Sequence, residues 1–180
     1  TGFVRESFLA FPLPCHTIKC KYVYLHLKGE KMKAVEKIAK RKVPPRTLAG
    51  WGAEVIKMAP GERIGMIRTG VEASYVVFVS KHYGIAQTHI ARLLGTSEAT
   101  LIRKLKAKAR LGPLESERLA RIAMIEAEAE QVFGDAEMAK QWMTTDNMAL
   151  GEAPLSLLDT DAGAHEVRRV LASIAYGAAA

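Results

Sequence analysis

The chain has 180 residues, 49% of them hydrophobic, and a formal net charge of +7, enough apolar content to bury a core in one or two small domains. No run approaches the roughly 18 apolar residues of a membrane span. The early FLAFPLP holds two prolines and leads into Cys15 and His16 where a signal peptide would place a small-residue cleavage site, so a cytoplasmic protein with no membrane partner is expected.

Charge is spread unevenly. Residues 1–60 carry 12 Lys and Arg against 4 Asp and Glu, residues 61–113 carry 9 against 3, and residues 114–180 carry 5 against 12, which gives +8, +6 and −7. A basic front and an acidic back predict two different partners, with nucleic acid the partner of the front. Residues 1–31 show no sustained helical period, and Met32 opens MKAVEKIAKRK, which reads like an ordinary bacterial N-terminus. Codons for Lys28-Gly29-Glu30-Lys31 can spell a purine-rich ribosome-binding site. The expectation is therefore that translation starts at Met32, that residues 1–31 are read-through of a leader, and that 1–47 form a basic extension. Cys15, His16, Cys20 and His26 nominally supply four zinc ligands, but their spacing matches no recurrent finger or ribbon. No metal or other cofactor is predicted.

From Arg63 onward the chain reads as short helices punctuated by glycine. Ile64, Ile67 and Val71 recur at helical spacing, and EASYVVFVSKHY runs up to Gly84. VVFV alone fits a buried strand as well as a helix; with no partner strand evident elsewhere in the sequence, helix is the expectation. In QTHIARLLGTSEATLIRKLKAK, residues 87–108, Gln87, Ala91, Gly95, Ser97 and Leu101 fall at helix-turn-helix spacing. Such a motif needs a small residue where two helices touch, a glycine for the left-handed turn and a serine to cap the second helix. That recognition helix is predicted to turn Leu101, Ile102 and Leu105 inward and to present Thr100, Arg103, Lys104, Lys106 and Lys108 to phosphates and base edges. Gln87 and Ser97 complete the DNA-binding candidates. Thr96 and Lys104 stand where the strict pattern has apolar residues. Glycine turns and basic solvated faces also occur in bundles that bind no nucleic acid; the +6 charge of this segment favours DNA.

Residues 114–133, with Pro113 before them and Gly134 after, place Leu119, Ile122, Ile125, Ala129, Val132 and Phe133 on one helical stripe. Asp135 is positioned to cap a following helix in which Met138 and Trp142 lie one turn apart. The closing helix, AHEVRRVLASIAYG, aligns Val167, Val170, Leu171 and Ile174 and stops at Gly177. Short helices on one long helix predict a small all-helical domain. Between them lies ALGEAPLSLLDTDAG, whose Glu152, Asp159 and Asp161 nominally form a metal or acid–base set. No nucleophile, histidine base or phosphate-cradling loop accompanies them, and Asp159 and Asp161 stand where aspartates cap free amides. The expectation is caps and no catalytic residue.

These residues carry a resemblance. The ESERL of 115–119, the VFGD of 132–135, Trp142, Leu150-Gly151, Pro154-Leu155, Leu158, Asp159, Gly163, Val167 and Tyr176-Gly177, together with the preceding helix-turn-helix, resemble the Xre/MbcA/ParS toxin-binding family of type II antitoxins over residues 48–177. The resemblance implies an all-α fold, with an Xre/Cro-like helix-turn-helix bundle at 48–113 and a toxin-binding and dimerisation domain at 114–180. It implies a homodimeric antitoxin that binds its own promoter DNA as a repressor. It also implies neutralisation of a RES-domain toxin, an ADP-ribosyltransferase-like consumer of NAD, by blocking its active site. The toxin-binding candidates are Trp142, Leu150, Pro154, Leu155, Arg168, Arg169, Tyr176 and Gly177. Trp142, Leu155 and Leu158 compete for a place in the core, whereas Tyr176 sits at a terminus able to enter a partner's cleft. Thr145-Asp146-Asn147, Met143 and Glu152 depart from the family pattern in one loop region. The other reading is a stand-alone dimeric helix-turn-helix transcriptional regulator whose C-terminal domain only dimerises.

Overall fold

A computed structural model describes residues 47–177; the N-terminal extension with Met32, and the Cys15, His16, Cys20 and His26 set, lie outside the described residues. In chain order the elements are α1 (Leu48–Lys57), α2 (Pro60–Thr69), α3 (Ser74–Tyr83), α4 (Gln87–Leu94), α5 (Glu98–Lys106), α6 (Pro113–Phe133), α7 (Ala136–Thr144), a 3-10 helix η1 (Pro154–Asp159) and α8 (Asp161–Ala175). The ambiguous VVFV lies in α3, and among the described residues the only β pairing is an isolated bridge between Glu72 and Arg110. Among them, too, no helix is long and apolar enough to cross a membrane.

The fold is organised around α6. Of its predicted stripe, Leu119, Ile122, Ile125 and Ala129 are buried and Val132 and Phe133 partly so, but Ser116, Ala120, Arg121, Ala123, Glu126 and Ala127 on its other sides are buried too. Helices α1, α2 and α4 pack on it from the first half of the chain, and α7, η1 and α8 from the second. A helix with neighbours on most of its sides keeps only a narrow, partly exposed strip for polar residues, among them Glu117, Arg118 and Glu128. One buried cluster consequently runs from Leu48 in α1 through Leu101 and Ile122 to Leu171 in α8. The α1–α6 contact is the closest of these, because Gly52 lets α1 approach the Ala123 carbonyl so nearly that an added Cβ would lie 1.8 Å from its oxygen.

The buried charged side chains of this core are paired, as the cost of burial requires. Glu126 accepts from the Tyr83 hydroxyl at 2.6 Å and lies 2.8 Å from His82 Nε2. Burial, reinforced by the Glu126 carboxylate, pushes the Tyr83 hydroxyl well above its ordinary pKa, so Tyr83 stays a donor. Arg121 donates to the Leu158 carbonyl at 3.2 Å and to Glu117 at 2.8 Å, tying η1 to α6.

Helix ends follow local chemistry. Asp135 accepts from the Met138 amide at 2.8 Å, as its position predicts. The expectation for the last helix is corrected. Thr160 caps α8, accepting from the Gly163 amide at 3.0 Å, while Asp159 closes η1 and Asp161 is the first residue of α8 with its side chain 97% exposed. Asp161 acts on the helix dipole from the first turn and lies 3.7 Å from Arg121.

Candidate functional site

The helix-turn-helix is formed by α4, the turn at Gly95 and α5. Gly95 adopts φ +70°, and the amides of Gly95 and Thr96 return to the carbonyls of Arg92 and Ala91 at 2.9 and 3.0 Å, a turn in which a side chain would be strained. Ser97 then caps α5 through the Thr100 amide at 3.2 Å. Ile90, Ala91, Leu94 and Leu101 are buried where the two helices meet. At the far end α5 closes with the same 6→1 and 5→2 pattern, Ala109 to Lys104 at 2.9 Å and Lys108 to Leu105 at 3.1 Å. Here, however, the left-handed position is held by Lys108, at φ 48°. Lys108→Gly is expected to raise stability by about 1 kcal/mol in urea unfolding, by removing the Cβ penalty of that conformation.

The outward face of α5 is rotated from the predicted one. Ala99, Ile102, Arg103, Lys106 and Ala107 line an open hollow along it, at the i, i+3, i+4, i+7, i+8 spacing of a single helical stripe. Arg103, Lys106 and Lys108 are exposed, and among the described residues none of them makes an ion pair. Ile102, expected to pack inward, is 37% exposed. Thr100 is half-buried and takes a hydrogen bond from the Ser97 hydroxyl at 2.8 Å, and Gln87 is half-buried as the first residue of α4.

Lys104 is the clearest displacement. Its ammonium pairs with Glu115 at the start of α6, and Glu115 also accepts from the Gly112 amide at 2.6 Å. Burial alone would raise the Glu115 carboxyl, but Lys104, the Gly112 amide and the Thr96 hydroxyl together hold it below its ordinary pKa. Thr96 and Lys104, the two departures from the strict motif, therefore share one carboxylate from the following helix. Lys104 is a brace between α5 and α6 and is not part of the free cationic face.

In the C-terminal half the toxin-binding candidates separate by burial. Pro154 and Leu155 are buried in the first turn of η1, so both belong to the core. Trp142 is half-buried, its ring centroid 5.7 Å from that of Phe133, and its Nε1 has no hydrogen-bond partner among the described residues. Leu150 is half-buried against the core. Arg168 binds Glu128 of α6 at 2.9 Å and fastens α8, whereas Arg169 makes only a surface pair with Glu166 at 2.8 Å. Tyr176 is 89% exposed, and Gly177 follows it on the surface at φ +68°. Exposed Met138 and Met148 were missed; large, adaptable apolar side chains left in water are the signal that marks a partner surface.

The two halves meet at more than α6. A groove of about 460 Å³ opens between α4 and η1, with His89 and Arg92 among the α4 residues lining it and Glu152 and Asp159 among those from the other side. Glu152 accepts from the Ser156 hydroxyl at 2.6 Å. No group of three His, Cys, Asp or Glu side chains suited to a metal ion is assembled among the described residues.

Comparison with known proteins gives this arrangement its family. The model of the antitoxin Xre-like helix-turn-helix domain matches residues 62–124, and that of the antitoxin Xre/MbcA/ParS C-terminal toxin-binding domain matches residues 128–177, so the two meet inside α6. An "Antitoxin Xre" from Yersinia enterocolitica is 31% identical over 116 residues, covering 63% of this chain and 78% of that protein. One from Photorhabdus laumondii is 28% identical over 114 residues, 62% of this chain and 77% of the relative. One from Pseudomonas putida is 42% identical over 64 residues, 35% and 40% of the two chains. A helix-turn-helix with a free cationic stripe, joined through one long helix to a toxin-binding fold, thus places the chain in the Xre family of type II antitoxins.

Proposed function

We propose that the protein neutralises a RES-domain toxin by occluding its NAD site with the surface of α7 and the end of α8, and that it represses its own promoter as a homodimer through α5. The observation that carries this reading is the division of free groups between the two halves. The unpaired cations Arg103 and Lys106 lie on α5 and Lys108 in the turn that closes it, suited to phosphates. The two most exposed of the large apolar side chains among the described residues, Met148 and Tyr176, lie beyond α6 together with Met138, while Ile56, Ile64, Ile102 and Leu114 are less exposed than those two; such a surface suits a protein partner. A dimer is favoured because a two-fold reader matches a two-fold operator. The action is by binding, without a chemical step, and belongs in the cytoplasm where toxin and promoter both are.

The test is co-expression with a RES-domain protein encoded beside this gene. Restored growth and a co-purifying complex are expected; failure of both defeats the toxin reading and leaves a stand-alone regulator. In the same assay Tyr176→Ala is expected to weaken neutralisation at least tenfold with an unchanged melting temperature, since the side chain contributes no core packing. Full neutralisation by that variant would remove Tyr176 from the interface.

A further inference from the structure

Ile102 is an anomaly on the DNA-facing stripe. The inward side of α5 is filled by Leu101, which is fully buried, and by Leu105 one turn on, which packs against the core, so nothing in the packing requires a large aliphatic group at position 102. Ile102 instead stands 37% exposed, with Ala99 one turn before it and the unpaired Arg103 and Lys106 on the same face. Two cations flanking an apolar spot disfavour an apolar protein groove as its occupant and favour a polyanion that offers one apolar feature. The major groove is such a surface: among the base edges it displays, only thymine carries a methyl group. A β-branched side chain on a helix is held to essentially one rotamer, so its contact surface is fixed before binding.

We propose that Ile102, with Ala99 beside it, reads a thymine methyl in the major groove and so sets base choice at the centre of the recognition helix, while Arg103 and Lys106 hold the flanking phosphates. This rests on the reading of α5 as a DNA-binding helix and adds a base preference to it.

The experiment uses the full chain and duplexes it enriches from a random pool. Each thymine of the enriched duplex is then replaced in turn by uracil, which removes the methyl and leaves the base pair unchanged. For the wild type, one position per half-site is expected to lose about fourfold in affinity, the loss of one buried methyl group. Ile102→Ala should bind the thymine and uracil duplexes equally, with an unchanged melting temperature because the side chain is exposed. If no uracil substitution weakens the wild type, or if Ile102→Ala keeps the full thymine preference, the inference is overturned, although α5 still binds DNA. If Ile102→Ala keeps that preference and loses its dimer, Ile102 is a contact between copies of the chain and the inference again fails. If no duplex is enriched, or Arg103→Glu with Lys106→Glu binds the enriched duplex undiminished, the DNA-binding role of α5 falls and the inference falls with it.

Discussion

Alanine at position 52 is expected to destabilise the protein by about 3 kcal/mol, lowering its melting temperature by roughly 10 °C. The direction is opposite to helix propensity, which favours alanine over glycine inside a helix by about 1 kcal/mol. Packing decides it. A Cβ on Gly52 would lie 1.8 Å from the Ala123 carbonyl oxygen and 2.4 Å from its carbon, and these are backbone atoms of α6 with no rotamer by which to withdraw. Separating α1 from α6 would open the contact that places Leu48, Trp51 and Val55 in the core. Gly61, exposed in the first turn of α2 with nothing within 4 Å of an added Cβ, is the control. Gly61→Ala should be neutral or stabilising by a few tenths of a kcal/mol. Thermal unfolding of the two variants checks both signs, and equal midpoints would contradict the close approach of α1 to α6.

Glu115 supports the second large effect. Glu115→Leu should cost about 3 kcal/mol in urea unfolding, because it leaves the Lys104 ammonium and the Thr96 hydroxyl without their shared acceptor. Replacing the three side chains, as Thr96→Val, Lys104→Met and Glu115→Leu together, should return stability to within about 2 kcal/mol of the wild type, since apolar packing substitutes for the polar side chains and only the Gly112 amide loses its acceptor. A triple variant no better than Glu115→Leu would place the cost elsewhere. The pH dependence follows from the lowered carboxyl pKa. Its stabilising contribution is complete above the ordinary value of 4.5 and is lost as pH falls through the lower folded value. Wild-type stability should therefore fall more steeply than that of Glu115→Gln in acid below about pH 4.5.

Features fixed by neighbouring residues were legible in the sequence. Gly95, Ser97 and Asp135 each act within three or four positions of themselves, so spacing and side-chain chemistry suffice to find them. The all-helical class was legible for the same reason. What the sequence did not reveal depends on partners distant along the chain. Lys104 looks like any solvated lysine until Glu115, eleven residues on, is seen to take it. Arg168 meets Glu128 forty residues away. Ile102 was misplaced because helical periodicity gives a pattern but not the rotation of that pattern against a neighbour; Leu101 and Leu105 fill the available space. For the closing helix, three capping residues stand in a row at Asp159, Thr160 and Asp161, and only the break between η1 and α8 selects the threonine. Pro154 and Leu155 belong to the motif that carries the family resemblance, yet they serve the core; a shared motif does not distinguish contact from support.

The proposed function needs two separable binding surfaces on one core. The most direct test is the affinity of the Arg103→Glu, Lys106→Glu variant for its own promoter duplex, measured beside its ability to rescue growth against the toxin. Reversing two unpaired cations on α5 should weaken promoter binding at least a hundredfold and flatten its salt dependence by about two contacts, with neutralisation unchanged. Wild-type promoter affinity in that variant, or loss of neutralisation in step with DNA binding, would contradict it.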